Sequence, residues 1–509
     1  MADRKRIVIV GGGITGLAAA HAAVGRANAL GRDVEVTLLE QSGRLGGNLV
    51  TEREGGFLLD AGPDSWVATK PHATALAREL GLGEALVGTN PATRRYYIAW
   101  GDSLHAVPEG LVLGVPTRVA PLVRTRLFTW AGKTRMALEP LVPVRRFEGD
   151  ADESIAQFAA RRLGREAAER LVAPLLGGIS AGDADDISVR ASFPQLVAME
   201  QTRGSLVLGM LAARRERERA AARTNGRNGV GQPRSGPNGA GEGRGKDVSA
   251  FASLRGGVGQ LVEALVQSLR TSGVAMRTHA TVKSLSRSAD GPEGGGASAP
   301  AGGARWTLDA GTGERFEADA VLLAVPATAA AALLEPIDGE LRAGLGSIGY
   351  GSSATVFVGY RRADVAHPLD GVGFVVPRAL GRPILAGTWV SSKWDDRAPE
   401  GYALLRVFVG GPLGQELASA GDEALVRTAR SELRVLMGVS AEPVMSRVFR
   451  FPHASAQMRV GHLARMRSIQ ERLTRVAPGL RVAGGGYDGV GIPDCVRQGQ
   501  DAGRALVEG

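Results

Sequence analysis

The first hydrophobic segment of the chain is short, fully apolar and followed at once by glycines. Residues 7–10 read Ile-Val-Ile-Val, three glycines follow, and a pattern of helical spacing runs from Ile14 to about Asn28. A second apolar segment, VEVTLLE, ends at Glu40. A continuous apolar run of this length is typical of a strand buried on both faces of a parallel sheet. The pattern therefore predicts a strand, a glycine turn, a helix and a second strand.

Further along the chain, the hydrophobic pattern changes several times. Residues 117–170 show mostly helical spacing, whereas short β-rich runs separated by turn signals occupy 347–450. The latter predict a mixed or antiparallel sheet. From Ala320, AVLLAVPATAAAALL is too short and too interrupted by Pro326 to span a bilayer, so we interpret it as a strand entering a helix. The C-terminal LRVAGGGYDGVGIPDCVRQGQDAGRAL predicts a strand, a glycine-rich turn and a helix.

Together these patterns predict an α/β fold with a Rossmann-like domain, a mixed-sheet substrate domain and a helical subdomain. Two segments rich in Gly, Pro and Asn have little to bury and predict disordered insertions. We expect a dinucleotide-binding domain in 1–92, completed by 250–335 and 475–509; a substrate domain in 93–116 and 186–222 with 336–474; a helical subdomain in 117–185; and insertions at 223–249 and 288–304.

The composition narrows the choice of compartment and partners. The 509 residues are too many for one core and carry a net charge of +9, mostly as arginine. The arginines are scattered and lack interleaved aromatics, which argues against nucleic acid and leaves composition bias, an anionic ligand or a membrane surface. The single cysteine and the lack of a secretory h-region predict a cytoplasmic protein. The oligomeric state is not predicted.

One helical stretch, TRVAPLVRTRLFTWAGKTRM, mixes apolar and arginine positions at helical spacing. It fits a surface helix over the core and equally an interfacial helix on an anionic membrane. The second interpretation would place the protein peripherally on the inner face of the cytoplasmic membrane.

The glycine turn has the spacing of a phosphate cradle. Gly11, Gly13 and Gly16 form G-x-G-x-x-G between the predicted strand and helix. The first glycine permits the tight turn, the second lets pyrophosphate approach the backbone, and the third lets helix and strand pack closely. Glu40, at the end of the second strand, is placed to bind ribose hydroxyls, and its charge disfavours a 2′-phosphate. A dinucleotide is therefore the expected ligand of this turn.

The segment after Glu40, QSGRLGGNLVTEREGGFLLDAGPDSW, resembles the flavin amine oxidase superfamily, and so does the C-terminal glycine turn. The resemblance implies FAD as the cofactor. It implies that FAD is bound by Gly11, Gly12, Gly13, Ile14, Thr15, Gly16, Glu40, Arg44, Gly46, Gly47, Asn48, Gly62, Pro63, Asp64, Ser65, Val282, Val490, Gly491 and Ile492.

The middle of the chain is more specific. RRYYIAWGDSLHAVPEGL, LLGGISAGDADDISVRASFPQLVAMEQTRGSLVLGML and SLRGGVGQLVEALVQSL resemble the oxygen-dependent protoporphyrinogen oxidases of haem and chlorophyll synthesis. The resemblance implies a six-electron oxidation of protoporphyrinogen IX to protoporphyrin IX, with O₂ as acceptor and H₂O₂ as product. Related enzymes act on coproporphyrinogen III, so that substrate remains the alternative.

The same resemblance implies a substrate site. Arg95, or the adjacent Arg94, matches an arginine that binds a propionate, and Gly178 matches a backbone contact to the tetrapyrrole. Val375, Trp389 and Phe408 match an apolar clamp on the macrocycle, although leucine is common in the family where Val375 and Trp389 stand. No general base is expected, because the substrate needs only positioning against the flavin.

Some motifs of the chain also match other kinds of site. GISAG at 178–182 matches a nucleophile elbow, but the preceding AERLVAPLLG has helical spacing where that motif needs a strand. We interpret Lys393 as a solvated loop lysine, unlike the flavin-adjacent lysine of amine oxidases. No histidine spacing predicts a metal. The alternatives are a flavin oxidase of amines or carotenoids, or a flavin-binding protein without activity.

Overall fold

The computed structural model describes residues 4–93, 95–177, 182–227, 249–287 and 305–509, and the structural statements that follow concern this part of the chain. Arg94, Gly178 and the second predicted insertion, 288–304, lie outside the described residues. Most of the first insertion does too, although its first five residues, 223–227, continue a helix that ends at Arg227.

The strands and helices are numbered in chain order. The strands are β1 Lys5–Val10, β2 Val34–Leu39, β3 Thr51–Glu54, β4 Phe57–Asp60, β5 Trp66–Val67, β6 Leu86–Gly88, β7 Arg95–Trp100, β8 Ser103–Ala106, β9 Leu111–Val112, β10 Val115–Pro116, β11 Phe251–Leu254, β12 Ala275–Arg277, β13 Val282–Arg287, β14 Trp306–Ala310, β15 Arg315–Ala318, β16 Ala320–Leu323, β17 Gly349–Arg361, β18 Gly371–Val375, β19 Ile384–Trp389, β20 Tyr402–Gly410, β21 Met445–Gln457 and β22 Leu480–Val482. The helices are α1 Ile14–Leu30, α2 Pro71–Glu79, α3 Val119–Arg124, α4 Trp130–Ala137, α5 Ile155–Leu163, α6 Arg165–Ala167, α7 Ala173–Gly177, α8 Val189–Ser192, α9 Pro194–Arg203, α10 Leu206–Arg227, α11 Gly259–Thr271, α12 Ala327–Leu334, α13 Gly339–Gly346, α14 Val390–Lys393, α15 Gly411–Gly414, α16 Asp422–Met437, α17 His462–Val476 and α18 Ile492–Glu508.

A five-stranded parallel sheet in the order β12-β2-β1-β16-β22 forms the first layer. Ile7 and Ile9 of β1 join an apolar cluster that includes residues of α1, α11 and α18, whereas Val8 and Val10 join a second cluster with residues of α12, α13 and α17. Both faces of the sheet are therefore covered, which explains why β1 is apolar at every position from Ile7 to Val10. The predicted strand–turn–helix–strand start is confirmed.

The first and last helices pack directly against each other. A Cβ atom on Gly499 would lie 2.3 Å from the carbonyl oxygen of Thr15, and one on Gly503 would lie 2.1 Å from that of Ala19. Only glycine fits at both places. The two glycines therefore allow the backbones of α18 and α1 to approach each other closely. This contact joins the two ends of the chain in one domain.

The second layer is a seven-stranded sheet in the order β21-β17-β20-β19-β18-β7-β8. The β18–β7 pair is parallel and the other pairs are antiparallel, so the predicted mixed sheet is confirmed. One face packs against α16 through residues such as Leu425 and Leu433. The other face meets β4 through Phe57, Leu59 and Phe357.

A helical region follows β10 and has its own apolar cluster. The cluster includes Leu122, Ile155 and Phe158. It also includes Val189 and Leu196, which lie in the range 186–222 that is predicted to belong to the substrate domain. Helices α8 to α10 therefore pack with the preceding helices, because their apolar sides complete that cluster. None of the described helices combines the length and apolar character needed to span a bilayer.

Candidate functional site

The glycine turn between β1 and α1 is open at the position predicted to face pyrophosphate. A Cβ atom on Gly11 would lie 2.3 Å from the carbonyl oxygen of Ala324, and one on Gly16 would lie 1.9 Å from that of Gly11. Gly13 differs, since the nearest atom to its Cβ position is the Cα of Gly47, at 4.0 Å. No side chain caps the first turn of α1, so its amide groups remain available to an anion.

Glu40 lies beside this turn, as expected. Its carboxylate accepts hydrogen bonds from the amide of Gly12 at 2.7 Å and from that of Ser42 at 2.8 Å. The carboxylate is thus fixed next to the cradle, directly after β2 ends. This is where the spacing from Gly16 predicted a partner for ribose hydroxyls.

The loop after Glu40 folds back onto the cradle. The amide of Gly46 donates to the carbonyl oxygen of Gly12 at 2.8 Å, and Gly46 forms a parallel bridge with Gly13. Arg44 crosses the loop and donates to the carbonyl oxygen of Gly47 at 2.7 Å. Gly46 and Gly47 both have positive φ, at 107° and 57°, which explains the glycines.

The predicted flavin turn at residues 61–65 meets this loop on one side. A Cβ atom on Gly62 would lie 2.0 Å from the carbonyl oxygen of Asn48. Ser65 donates to Asp64 at 2.7 Å. The neighbouring Pro63 is exposed. The sequence thus predicted residues from two separate segments that the structure places in contact.

The seven-stranded sheet holds the same turn from the other side. The Thr355 hydroxyl donates to the carbonyl oxygen of Ala61 at 3.0 Å, and Nη2 of Arg406 donates to the same oxygen at 2.8 Å and also to that of Gly62. Three donated hydrogen bonds therefore fix the turn between the two layers.

The interpretation of Lys393 as a solvated loop lysine is wrong. Lys393 ends α14, and its Nζ donates to both oxygens of Asp64 at 2.9 and 2.8 Å, with 14% of each side chain exposed. Trp394 adds a hydrogen bond from its indole at 3.1 Å. Burial alone would raise the pKa of the Asp64 carboxyl, but Lys393, Arg406 and the hydrogen bonds hold it below its ordinary value.

The C-terminal glycine turn lies against α1 and is held by tyrosines. Tyr350 Oη accepts from the amide of Ala327 at 2.8 Å and donates to the carbonyl oxygen of Gly485 at 3.3 Å. Tyr487 is buried and donates to the carbonyl oxygen of Val325 at 3.0 Å. Val490 and Gly491 follow, and α18 begins at Ile492. The predicted binding of FAD by Val490, Gly491 and Ile492 stays a prediction.

Two further contacts join that helix to the predicted cofactor residues. Lys70, just beyond the Asp64 turn, donates to both oxygens of Asp494 in the first turn of α18, each at 2.7 Å. The Cys495 thiol, near the Thr15 side chain, is buried, and burial raises its pKa to about 11.

Val282 begins β13 and is half-buried, two residues after Ala280, whose amide donates to the carbonyl oxygen of Glu40 at 2.8 Å.

The predicted clamp is only partly assembled. In the sheet register, Val375 pairs with Ala386, and Ala386 pairs with Phe408, so these side chains share the face that meets the flavin turn. Trp389 pairs with Leu405 on the opposite face, where it is fully buried beside His367. The expected place of Trp389 in the clamp is corrected, because the alternation of side chains along β19 turns its ring away from Phe408.

Arg95 also lies on the opposite face. It shares that face with Tyr97, and both side chains bond the carboxylate of Asp370, at 2.6 Å in each case. Arg95 is exposed, and its hydrogen bond to Asp370 raises the pKa of its guanidinium above the ordinary value. The structure does not bring Arg95 together with Phe408. Its role in binding a propionate stays a prediction, while Arg94 and Gly178 lie outside the described residues.

Sequence reasoning missed a buried charge at this site. Arg406 stands in the otherwise apolar run YALLRVFVG, and an isolated arginine in a buried strand was the signal that could have found it. Tyr350 and Lys393 gave no such signal, because their roles depend on contacts between distant parts of the chain.

The described residues also bear on the nucleophile elbow and on a metal site. A π-helical turn at Ala168–Val172 and then α7 precede Gly178, so the GISAG segment does not follow the strand that a nucleophile elbow needs. Among the described residues, no three His, Cys, Asp or Glu side chains cluster as metal ligands would.

Comparisons with known proteins agree with this geometry. The family model for flavin containing amine oxidoreductases matches residues 14–507. A coproporphyrinogen III oxidase of Bacillus subtilis (strain 168) is 34% identical over 499 residues, covering 98% of this chain and 97% of that protein. A coproporphyrinogen III oxidase of Staphylococcus aureus is 30% identical, covering 99% of each chain.

A solved structure extends the similarity to three dimensions. The crystal structure of a protein from Exiguobacterium sp. 255-15, described there as a candidate protoporphyrinogen oxidase, is 33% identical to this chain. It superposes with a TM-score of 0.81 over 99% of both chains.

Proposed function

The chain belongs to the family of flavin-containing amine oxidoreductases, and from this membership we propose that it oxidises a porphyrinogen to the corresponding porphyrin. The protein is an oxidoreductase with a flavin cofactor, and we propose that the flavin is FAD. The observation that carries the proposal is that three predicted cofactor segments, 11–16, 40–48 and 62–65, contact one another in turn after β1 and β2 end. The helix that begins at the fourth, 490–492, packs against α1.

The residues present fit a dinucleotide flavin. The open Cβ position at Gly13 and the uncapped amides of α1 suit a pyrophosphate, and the fixed carboxylate of Glu40 suits a ribose. When bound, the flavin supplies two-electron oxidation with O₂ as the final acceptor. The chain itself binds and orients the substrate and excludes water.

Both porphyrinogens implied by the resemblance are candidate substrates. Protoporphyrinogen IX was the first interpretation, and the Exiguobacterium protein supports it. The relatives from Bacillus subtilis and Staphylococcus aureus favour coproporphyrinogen III. Both substrates present carboxylates on an apolar macrocycle, which suits the half-buried Val375 and Phe408 on the site-facing side of the sheet.

The test is porphyrin fluorescence from the purified, FAD-loaded protein given each porphyrinogen separately in air. We expect turnover of at least one, with H₂O₂ released, and the higher kcat/KM identifies the substrate. Turnover of an amine or a carotenoid, but of neither porphyrinogen, would assign the protein to another flavin oxidase. Bound FAD that no porphyrinogen reduces would contradict the proposed function.

We also propose a peripheral contact between the helical region and an anionic membrane. Large apolar side chains are exposed along residues 119–141. Val119 leaves 77% of its surface exposed, Trp130 leaves 67% and Leu141 leaves 78%. Arg124 and Arg126 are exposed in the same stretch. Large apolar side chains beside arginines are typical of a surface that enters the headgroup region of an anionic bilayer.

A further inference from the structure

Three arginines are almost completely buried in the described chain, and one of them lacks an anionic partner. Arg162, Arg397 and Arg406 expose 0%, 1% and 3% of their surface. Arg162 forms an ion pair with Glu139, and Arg397 forms one with Asp60 at 3.4 Å. Arg406 has no carboxylate oxygen within 4 Å among the described residues, although buried arginines are rarely left unpaired.

The hydrogen bonds of Arg406 use only part of its guanidinium. Nη2 donates to the carbonyl oxygens of Ala61 and Gly62, whereas Nε is buried without a partner, and Nη1 bonds none of the described residues. Burial lowers the pKa of Arg406 to about 10, so the side chain is still charged at neutral pH. A buried donor without a partner is costly unless a ligand supplies one.

The charges around Arg406 do not balance. Asp60 and Asp64 face Lys393, Arg397 and Arg406, which gives two carboxylates against three cations. Asp64 is already bonded by Lys393 and Trp394. One positive charge is therefore left over in a desolvated part of the protein.

Arg406 lies where the substrate is expected. Its Cζ is 4.2 Å from the centre of the Phe408 ring and 5.3 Å from that of Phe357, on the face that meets the flavin turn. Arg95, by contrast, lies on the other face and is paired with Asp370. The leftover positive charge is therefore on the side of the sheet where Phe408 is expected to meet the substrate.

We propose that Arg406 binds a carboxylate of the porphyrinogen and thereby holds the macrocycle over Phe408. This inference rests on the proposed function and names the residue that recognises the substrate's charge. Nη1, which bonds none of the described residues, is the nitrogen left to donate to a substrate carboxylate while Nη2 holds the carbonyl oxygens of the turn.

The experiment combines a change in the protein with a change in the substrate. The wild type, Arg406→Gln and Thr355→Val are compared on protoporphyrinogen IX and on its dimethyl ester, which has no free carboxylate. Thr355 donates to the same Ala61 oxygen as Arg406, so its valine variant loosens the turn without removing a charge.

We expect Arg406→Gln to lower kcat/KM for the free acid about 10- to 100-fold, as for the loss of a charged hydrogen bond, and to change the ester little. Thr355→Val should affect acid and ester equally. If Arg406→Gln does not fold, Arg406→Lys should reduce the acid preference several-fold, because one ammonium cannot reach both the carbonyl oxygens of the turn and a substrate carboxylate as the wider guanidinium does.

The proposal is overturned by either of two results. An equal loss on acid and ester in Arg406→Gln would show that the residue only fastens the turn. A shifted flavin reduction potential with an unchanged acid preference would assign its charge to the flavin.

A binding measurement separates this inference from the proposed function. Quenching of coproporphyrin III fluorescence requires no turnover, and we expect Arg406→Gln to raise Kd for the tetra-acid at least tenfold while Kd for its tetramethyl ester stays constant. Failure of turnover in the wild type contradicts the function alone, whereas an unchanged Kd in the variant contradicts the role of Arg406.

Discussion

Nζ of Lys393 donates to both carboxylate oxygens of Asp64, at 2.9 and 2.8 Å, and so ties the seven-stranded sheet to the predicted flavin turn. In Lys393→Met, the buried carboxylate of Asp64 loses the positive charge that offsets its desolvation. We expect the variant to lose about 3 kcal/mol of unfolding free energy, as for breaking a buried ion pair, measured by urea denaturation of the FAD-loaded protein.

Lys70→Met is the matched control for this prediction. Lys70 makes the same two-oxygen contact with Asp494, but half of its side chain is exposed. Its loss should cost under about 1 kcal/mol, as is usual for exposed ion pairs. Equal losses in the two variants would contradict the difference in burial on which the prediction depends.

Gly13→Val should separate cofactor binding from folding. The Cβ position of Gly13 is open and its φ of −71° suits any residue, so the apoprotein should fold normally by circular dichroism. The valine methyl groups would occupy the space predicted for pyrophosphate, so FAD should be absent from the purified variant. Full flavin occupancy would show that Gly13 does not line the pyrophosphate site.

Gly25→Ala is the control. Gly25 lies in α1, the helix that follows Gly13, and nothing lies within 4 Å of the added atom, so this variant should bind FAD as the wild type does.

Much of the fold was predictable because it depends on local patterns. The apolar run before Gly11, the alternation in residues 347–450 and the glycine turn before Ile492 each specify an element through neighbouring residues alone. The cradle followed from the spacing of three glycines, since each fills a separate steric role.

The parts of the site that were missed depend on contacts over long sequence distances. Lys393 reaches Asp64 across 329 positions, and Arg406 reaches Gly62 across 344. Trp389 was placed in the clamp from similarity alone, and the register of β19 with β20 was needed to show that it faces the other side. Pairing registers of this kind are set by the tertiary fold, which one sequence does not display.

Tyr350→Phe should loosen the C-terminal glycine turn. Its hydroxyl accepts from the amide of Ala327 and donates to the carbonyl oxygen of Gly485, so the variant leaves both groups without that partner. We expect a loss of about 1–2 kcal/mol in unfolding free energy and a higher Kd for FAD, measured by flavin fluorescence during titration of the apoprotein.

Tyr360→Phe is the control for Tyr350, because it changes a tyrosine of the same strand. The Tyr360 hydroxyl is buried and has no hydrogen-bond partner among the described residues. Its removal should leave the Kd for FAD unchanged and stability unchanged or slightly higher. An equal rise in Kd in both variants would show that the effect is not specific to the glycine turn.

Cys495 should be unreactive in the native protein at neutral pH. Burial raises the pKa of its thiol to about 11, compared with about 8.5 for a free cysteine. The folded state therefore holds this proton more tightly than the unfolded state, so its contribution to stability is complete below about pH 8 and is lost as the pH rises towards 11.

Iodoacetamide labelling measures this directly, because the chain has a single cysteine. We expect little modification at pH 8 without denaturant and full modification in urea, with Cys495→Ser as the blank. Stoichiometric labelling of the native protein at pH 8 would contradict the assigned burial.

The proposed membrane contact predicts that Trp130 and Leu141 act together. Both are mostly exposed, so Trp130→Ser with Leu141→Ser should leave folding and turnover of a porphyrinogen in detergent intact. The double variant should lose most of its co-sedimentation with vesicles containing phosphatidylglycerol, because the apolar area that enters the headgroup region is removed. Val435→Ser removes an exposed valine from α16, at 44% exposure, and should bind vesicles like the wild type. Binding of the wild type should also weaken at high salt or on neutral phosphatidylcholine, since arginine charge contributes to it. Vesicle binding by the double variant equal to that of the wild type would show that the helical region is not the contact surface.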